Sequence, residues 1–280
     1  MIAFSNCKIN IGLNIISERN DGFHNIETVL YPVNLWDILE INLRSNLKDD
    51  SYYFQNGMAL ITSGNSVDCS MEENLCYKAY QLVKNDYRVS DVVLHLHKIT
   101  PMGAGLGGGS ANAAYTLKLL NQLFNLNIEA TQLHNYAAQL GSDCSFFINN
   151  HPAYATGKGD LLHPVDAGLK NYHITLVKPP IHISTAEAYQ SVTPVPPTVS
   201  LLNLIAMAPY SWRDVIFNDF EKPVFKNYPQ LQQIKNSLYD AGCLYASMSG
   251  SGSCIYGISQ HSINISGMFD NCFTWQGILS

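Results

Sequence analysis

Apolar and polar residues alternate along residues 8–43, and the alternation breaks at Asn20-Asp21-Gly22. A period of two is typical of strands that bury one face, while Asn, Asp and Gly favour tight turns. The chain is therefore predicted to begin with antiparallel strands joined by a turn.

After this region the spacing of apolar residues changes from that of a strand to that of a helix. Residues 72–85 place Leu75, Ala79 and Leu82 on one helical face, and residues 92–99 alternate again as a strand. That strand leads directly into Gly-Ala-Gly-Leu-Gly-Gly-Gly at 103–109, which has five glycines in seven positions.

Two helices are predicted after the glycines, the first with Ser110 as its N-cap and the second ending at Gly141. Apolar residues at helical spacing mark their buried faces: Ala114, Leu117, Leu120 and Phe124 in the first, Leu133, Ala137 and Leu140 in the second.

The remaining chain is predicted to hold a hairpin over 151–165 and a strand-rich half from Tyr172 onward. Prolines interrupt that half at 179–180 and between 194 and 197. We place a domain boundary near residue 160.

Composition narrows the possible partners. The 280 residues are 46% hydrophobic and 14% charged, with a formal net charge of -6 and scattered basic residues. Nucleic acids and membrane surfaces bind proteins through a basic face, so neither is an expected partner.

The sequence also indicates where the protein is found. Its seven cysteines include no CxxC pair, and it has neither a signal-peptide pattern nor an apolar run of membrane length. We therefore expect a soluble protein of the reducing cytoplasm.

The glycine stretch is best explained by phosphate binding. A strand followed by a glycine loop and a helix presents backbone N–H groups and the positive end of the helix dipole to one point. Glycine allows close approach of the phosphate and left-handed backbone conformations. The alternative is a flexible or tightly packed glycine turn.

Several phosphate-binding classes do not fit. No Lys follows the last glycine as in a Walker loop, and the HRD and DFG elements of protein kinases are absent. Gly103, Gly105 and Gly108 match GxGxxG, but a dinucleotide fold needs a second strand ending in an acidic residue about 20 positions later. Residues 127–140 are instead predicted to be helical.

Residues 101–114, PMGAGLGGGSANAA, resemble the ATP-phosphate loop of the GHMP kinases. Three further matches extend the resemblance over nearly the whole chain: Lys8-Ile9-Asn10, Asp21-Gly22-Phe23-His24 and Leu140-Gly141-Ser142-Asp143. They point to the branch of the family that phosphorylates a small alcohol carrying a cytidine diphosphate group, in the non-mevalonate route to isoprenoid precursors.

The resemblance implies an α+β, two-domain GHMP kinase fold. Residues 1–160 would form the ATP-binding domain, like domain 2 of ribosomal protein S5, and residues 161–280 a ferredoxin-like domain. Other GHMP kinases that act on mevalonate, phosphomevalonate or homoserine are alternatives, as is a nucleotide-binding protein without chemistry. Whether the chain is a monomer or a homodimer stays open.

The resemblance also implies an ATP site with Mg²⁺ carried on the nucleotide. Its residues would be Pro101, Met102, Gly103, Ala104, Gly105, Leu106, Gly107, Gly108, Gly109, Ser110, Ala111, Asn74 and Lys98. Ser110 would contact Mg²⁺ or a phosphate oxygen, or only cap its helix. Asn74 and Lys98 would contact the adenosine, or else cap a helix and end a strand in solvent. The second glycine cluster, residues 248–253, would line the same site or form an ordinary hairpin turn.

Lys8 and Asp143 match the catalytic pair of the family, and Asn10 matches a substrate contact. A carboxylate at a helix start stays ionised and suits a proton acceptor, although Asp is also a common N-cap. Lys8 would stabilise charge beside it, or it would be an outward-facing lysine of a strand.

The cytidine end would be held by Phe23 and Tyr189 stacking on the base, His24 bonding its edge, and Thr185 in the same pocket. Core packing is the alternative for the two aromatic residues. Many relatives carry Tyr where this chain has Phe23, which can stack on a base but has no hydroxyl for a hydrogen bond.

Overall fold

The computed structural model describes residues 1–46, 52–190 and 192–280. Strands β1 (Ile2–Glu18) and β2 (His24–Leu43) pair with each other, and the intervening residues form a turn in which Gly22 N–H donates to the carbonyl of Arg19. The hairpin expected from the alternation is confirmed.

The other strands are β3 (Met58–Gly64), β4 (Val92–Lys98), β5 (Ala153–Thr156), β6 (Leu161–Pro164), β7 (His173–Lys178), β8 (Tyr245–Met248), β9 (Ile255–Ser259) and β10 (Phe273–Ile278). The α-helices are α1 (Leu75–Asp86), α2 (Gly108–Leu123), α3 (Ala130–Leu140), α4 (Cys144–Asn149), α5 (Thr185–Gln190), α6 (Leu201–Ile205), α7 (Glu221–Asn227) and α8 (Pro229–Asp240). Short 3₁₀ turns cover Arg44–Asn46 and Pro209–Ser211.

The chain forms two compact units built from non-contiguous segments. The first contains Met1–Cys7, Leu35–Met102 and Gly107–Asn150, and the second contains Lys8–Asn34, Gly103–Leu106 and His151–Ser280. The division at residue 160 remains a prediction.

In the first unit, β4 lies between two strands. It runs parallel to β3, with Met58 opposite Val92, and antiparallel to β2, with Ile38 opposite His97. Helix α2 buries its apolar face, including Ala114, Leu117 and Leu120, and packs against α1, α3 and α4. Strand β4 precedes the glycine stretch, and α2 begins within it at Gly108.

In the second unit, a four-stranded antiparallel sheet has the order β10-β7-β9-β8. Helix α8 packs against β8 and β9 through Leu231, Ile234 and Leu238, which are buried in the core of this unit. The predicted hairpin over 151–165 is present as β5 and β6.

The α+β fold class is confirmed, but the half from Tyr172 onward is less strand-rich than expected, since it also contains α5, α6, α7 and α8. Three of these helices have seven residues or fewer, which is too short for a clear helical period. Helix α8 has its buried apolar residues at helical spacing and could have been found from the sequence. Within the described residues, no helix combines the length and the apolar character needed to span a bilayer.

Candidate active site

The glycine stretch adopts the backbone conformations that its composition predicts. Gly103, Gly105 and Gly107 have φ angles of 58°, 73° and 69°, in the left-handed region where L side chains are strained. Helix α2 begins immediately afterwards at Gly108. The strand, loop and helix expected from the sequence are therefore present.

Gly105 and Gly109 show that the glycines serve different purposes. A Cβ on Gly105 would lie 1.9 Å from the carbonyl oxygen of Ser249, so the backbone packs too closely there for any side chain. A Cβ on Gly109 would meet nothing within 4 Å. Gly109 thus borders open space at the start of α2, as a position beside a ligand would.

The start of α2 corrects one prediction. Gly107, not Ser110, is the N-cap, and Ser110 lies in the first helical turn. Helix geometry gives the N–H groups of Gly108, Gly109 and Ser110 no acceptor inside the helix. Together with the positive end of the dipole of this 16-residue helix, they suit an anionic group.

A buried ion pair fixes the end of β4 just before the glycines. Lys98 and Asp37 are 2% and 0% exposed, and the Lys98 ammonium donates to the Asp37 carboxylate and to Asn112 Oδ1. Asp37 also accepts the backbone N–H groups of Ile99 and Thr100 at 2.8 and 2.7 Å. The alternative of a solvent-exposed Lys98 is wrong, and the ammonium is bound within the first unit.

Asn112 closes this network from helix α2. Its Nδ2 donates to Asp37 Oδ2 at 2.9 Å and to Ser5 Oγ at 2.8 Å. Sequence reasoning missed both Asp37 and Asn112. The available signal for Asp37 was a carboxylate flanked on both sides by apolar residues of a strand, because a buried charge needs a partner.

Asn74, the other predicted adenosine contact, is the N-cap of α1. Its side chain accepts a hydrogen bond from the N–H of Cys76 at 2.9 Å. The capping alternative is therefore observed, and contact of Asn74 with adenosine remains a prediction.

Lys8 and Asn10 lie side by side on β1, in a stretch that is buried on both faces. They are 3% and 5% exposed, and Lys8 Nζ donates to Asn10 Oδ1 at 2.5 Å and to the carbonyl oxygen of Gly105 at 3.1 Å. The alternative of an outward-facing Lys8 is wrong. A buried ammonium can stabilise negative charge beside it, and the catalytic role of Lys8 remains a prediction.

The second glycine cluster forms the turn between β8 and β9 and contacts the Gly103–Leu106 segment. Ser249 Oγ donates to the carbonyl oxygen of Gly105 at 2.8 Å, and Cys254 N–H donates to that of Ala104 at 3.1 Å. It is therefore both a hairpin turn and a support for the first glycine stretch.

Asp143 lies directly before α4, as predicted. It holds the N-cap position, but its side chain makes no capping hydrogen bond, so simple capping does not explain it. Asp143 belongs to the first unit and Lys8 to the second. Their pairing remains a prediction.

Aromatic side chains predicted to bind cytidine meet in the second unit. The rings of His24 and Tyr189 are stacked, with centroids 4.6 Å apart, and Tyr189 meets Phe220 edge-on at 4.9 Å. Phe23 is 54% exposed, and the Lys158 ammonium lies 4.8 Å from its ring centroid. His24 thus lies against Tyr189 and Phe23 beside Lys158, while stacking of Phe23 and Tyr189 on a base remains a prediction.

Thr185 lies on α5 one turn before Tyr189, which places both on one helical face. Its hydroxyl is 3.4 Å from Ser251 Oγ in the second glycine cluster. Core packing does not account for Phe23, because more than half of its surface is exposed.

The described residues offer no cluster of side chains for a metal ion. Among residues 1–46, 52–190 and 192–280, no three His, Cys, Asp or Glu side chains are grouped closely enough to hold a metal ion. A divalent ion at this site would take its ligands chiefly from elsewhere, and the phosphates of a nucleotide and water are the ligands that Mg²⁺ prefers.

Family models match two parts of the chain. Residues 74–156 match the GHMP kinases N terminal domain, and residues 200–267 match the GHMP kinases C terminal model. The first match contains the glycine stretch and Asp143, and the second contains the second glycine cluster.

Curated relatives match over the full length. The chain is 44% identical over 282 residues to 4-diphosphocytidyl-2-C-methyl-D-erythritol kinase from Parabacteroides distasonis, covering 100% of both sequences. It is 45% identical to the enzyme of that name from Bacteroides fragilis, covering 99% of this chain and 98% of the relative.

Solved structures agree with this similarity. A crystal structure of 4-(cytidine 5'-diphospho)-2C-methyl-D-erythritol kinase has a TM-score of 0.73 and 27% identity, covering 92% of this chain and 90% of that chain. The mevalonate kinase of Methanococcus jannaschii has a TM-score of 0.70 at 13% identity, covering 100% and 98%, which shows the fold alone.

Proposed function

Since the chain belongs to the 4-diphosphocytidyl-2-C-methyl-D-erythritol kinases of the GHMP kinase superfamily, we propose that it transfers the γ-phosphate of ATP to the 2-hydroxyl of 4-diphosphocytidyl-2-C-methyl-D-erythritol. The product would enter the non-mevalonate route to isoprenoid precursors. The observation that carries this proposal is the full-length identity with relatives of that name.

ATP supplies the phosphoryl group, and the chain supplies the groups that bind its phosphates. The N–H groups at the start of α2 and the open space beside Gly109 support phosphate binding there. Mg²⁺ would be held mainly by the phosphates and water, with the Ser110 hydroxyl as a further oxygen ligand. The buried Asp37–Lys98 pair would keep the end of β4 in position, whether or not Lys98 also contacts adenosine.

Phosphoryl transfer also needs an acceptor for the proton of the attacking hydroxyl. Asp143 is our candidate, because it is a carboxylate at the N-cap of a helix and its side chain makes no capping hydrogen bond there. Lys8 would stabilise the negative charge that develops on the transferred group, and Asn10 would help to place the substrate. The burial of Lys8 against the Gly105 carbonyl supports this assignment.

The cytidine end would be recognised in the second unit. Tyr189 and Phe23 would stack on the base, His24 would bond its edge, and Thr185 would line the same pocket. The His24–Tyr189 contact supports a common pocket for these residues. We also place the reaction in the cytoplasm, with the chain acting as a monomer or a homodimer.

A panel of acceptor alcohols tests the proposal. The purified protein would be supplied with ATP and Mg²⁺ and with the diphosphocytidyl substrate, mevalonate, phosphomevalonate or homoserine in turn, and product formation would be followed by phosphorus NMR. We expect transfer to the diphosphocytidyl substrate alone. Preferential phosphorylation of mevalonate, phosphomevalonate or homoserine would assign a different kinase of the same family, and nucleotide binding without transfer to any alcohol would assign a binding protein.

A further inference from the structure

The hydroxyl of Thr28 determines how the amide of Asn10 is oriented beside Lys8. Thr28 lies on β2 and is 1% exposed. Its Oγ1 is 2.6 Å from the carbonyl oxygen of Gly12 and 3.1 Å from Asn10 Nδ2. These two contacts are enough to assign the hydrogen-bond directions.

A threonine hydroxyl has one proton, whereas a carbonyl oxygen only accepts. Thr28 must therefore donate that proton to Gly12, and toward Asn10 its hydroxyl can only accept. The group of Asn10 that faces Thr28 must then be the NH₂. The opposite orientation would place two acceptors against each other in a buried site, which is unfavourable.

The other end of the amide follows from this assignment. With its NH₂ directed to Thr28, Asn10 presents Oδ1 to the Lys8 ammonium at 2.5 Å. The backbone of Asn10 is fixed independently, because its N–H donates to Ser249 Oγ at 3.2 Å and its carbonyl accepts from Tyr256 Oη at 2.8 Å. Of these contacts of Asn10, the one made by its side-chain NH₂ is the one that involves Thr28.

We propose that Thr28 is a positioning residue for phosphoryl transfer, which acts by holding Asn10 Oδ1 toward Lys8. It contacts Asn10 and Gly12, and its influence on the reaction passes through Asn10. The inference rests on the proposed function for its effect on turnover, whereas the amide orientation itself is independent of that function.

A double-mutant cycle with Asn10 tests the coupling. Thr28→Val removes the hydroxyl at nearly constant volume and should lower kcat by roughly 10- to 100-fold, with the KM for ATP nearly unchanged. Thr28→Ser keeps the hydroxyl and should restore most of kcat. In an Asn10→Ala background, Thr28→Val should change kcat by less than about twofold, because the residue that it acts through is already absent.

Thr175→Val is the matched control. Thr175 is also 1% exposed and its hydroxyl accepts a hydrogen bond from Gln276 at 3.0 Å, on β7 of the same unit. It should leave kcat unchanged, so that loss of any buried threonine hydroxyl is distinguished from loss of this one. An equal effect of Thr28→Val with and without Asn10 would overturn the inference.

NMR of the wild-type protein provides a second test. It does not depend on turnover or on whether a variant folds. In ¹⁵N-labelled wild-type protein, the Asn10 side-chain amide protons should show an NOE to the Thr28 methyl group and slow exchange with water. An NOE to the Lys8 ε-methylene protons instead would mean that the NH₂ faces Lys8, and the inference would be overturned. An inactive wild type with the Thr28 NOE would contradict the proposed function while leaving the amide orientation established.

Discussion

Lys98 and Asp37 form an ion pair in which neither side chain is more than 2% exposed. The pair joins the end of β4 to β2 and lies immediately before the glycine stretch. Removing one member of a buried pair leaves an uncompensated charge, which is more costly than the net stabilisation that the intact pair provides.

Asp37→Asn should therefore lower the free energy of unfolding by about 3–5 kcal/mol, measured by urea denaturation. The control is Asp91→Asn, which breaks the Arg44–Asp91 pair, whose side chains are 51% and 40% exposed. That change should cost less than about 1 kcal/mol. If both variants lose the same small amount, the buried pair does not stabilise the end of β4 as we describe.

Two glycine substitutions should separate folding from nucleotide binding. Gly105→Ala should destabilise the protein by more than about 1 kcal/mol, because the residue has a φ of 73° and its Cβ would lie 1.9 Å from the Ser249 carbonyl oxygen. Gly109→Ala should keep or raise the melting temperature and weaken ATP binding, because its methyl group would enter the open space at the start of α2. Thermal melting and calorimetric titration with ATP would measure both effects. Unchanged ATP affinity in Gly109→Ala would contradict phosphate binding at this position.

Asp143→Asn should keep ATP and the acceptor alcohol bound and lower kcat by at least roughly 100-fold, as expected for loss of a positioned proton acceptor. The control is Asp240→Asn at the exposed end of α8, which should leave kcat unchanged. Near-normal turnover in a folded Asp143→Asn protein would remove Asp143 from the reaction.

The cytidine pocket should respond independently of ATP. Tyr189→Ala, His24→Ala and Phe23→Ala should each raise the KM for the diphosphocytidyl substrate, by an amount equivalent to roughly 1–3 kcal/mol for a stacking ring, with the KM for ATP nearly unchanged. Phe217→Ala is the control for Phe23, since the two side chains are 52% and 54% exposed. If Phe23→Ala behaves like Phe217→Ala, then Phe23 does not stack on the base.

Lys118 gives the stability a pH dependence. It lies on α2, donates to the carbonyl oxygen of Phe147 at 2.7 Å, and burial lowers its pKa from 10.5 to about 8. Between pH 8 and 10.5 the unfolded chain then binds more protons than the folded one, so the contribution of Lys118 to the free energy of unfolding increases with pH.

The measurement compares the wild type with Lys118→Met by urea denaturation at pH 7, 8, 9 and 10. The stability of the wild type relative to the variant should rise over the upper part of this range. Lys78→Met, which changes an exposed lysine of α1, should show no such trend. A constant difference between the wild type and Lys118→Met would show that the lysine titrates alike in the folded and unfolded states.

The elements that were predicted correctly from the sequence are specified by residues close together in the chain. The glycine stretch, the strand before it and the helix after it are adjacent in the chain, and the residue types fix the backbone conformation of each. The same holds for the turn at Asn20-Asp21-Gly22. The N-cap of α2 was predicted three residues too late, at Ser110. Gly107, in the left-handed conformation, is the N-cap and makes no side-chain capping bond.

Local sequence determined the strand, the glycine loop and the helix after it, and a match to family motifs supplied the fold class and the candidate residues Lys8, Asp143 and His24. Only the tertiary structure decided which polar side chains are buried against one another. Lys98 meets Asp37 across 61 positions and Ser249 meets Asn10 across 239, and no local pattern specifies such a pairing. The physical reason is that burial makes each polar group depend on one particular partner, and that partner is selected by the packing of strands and helices distant in sequence.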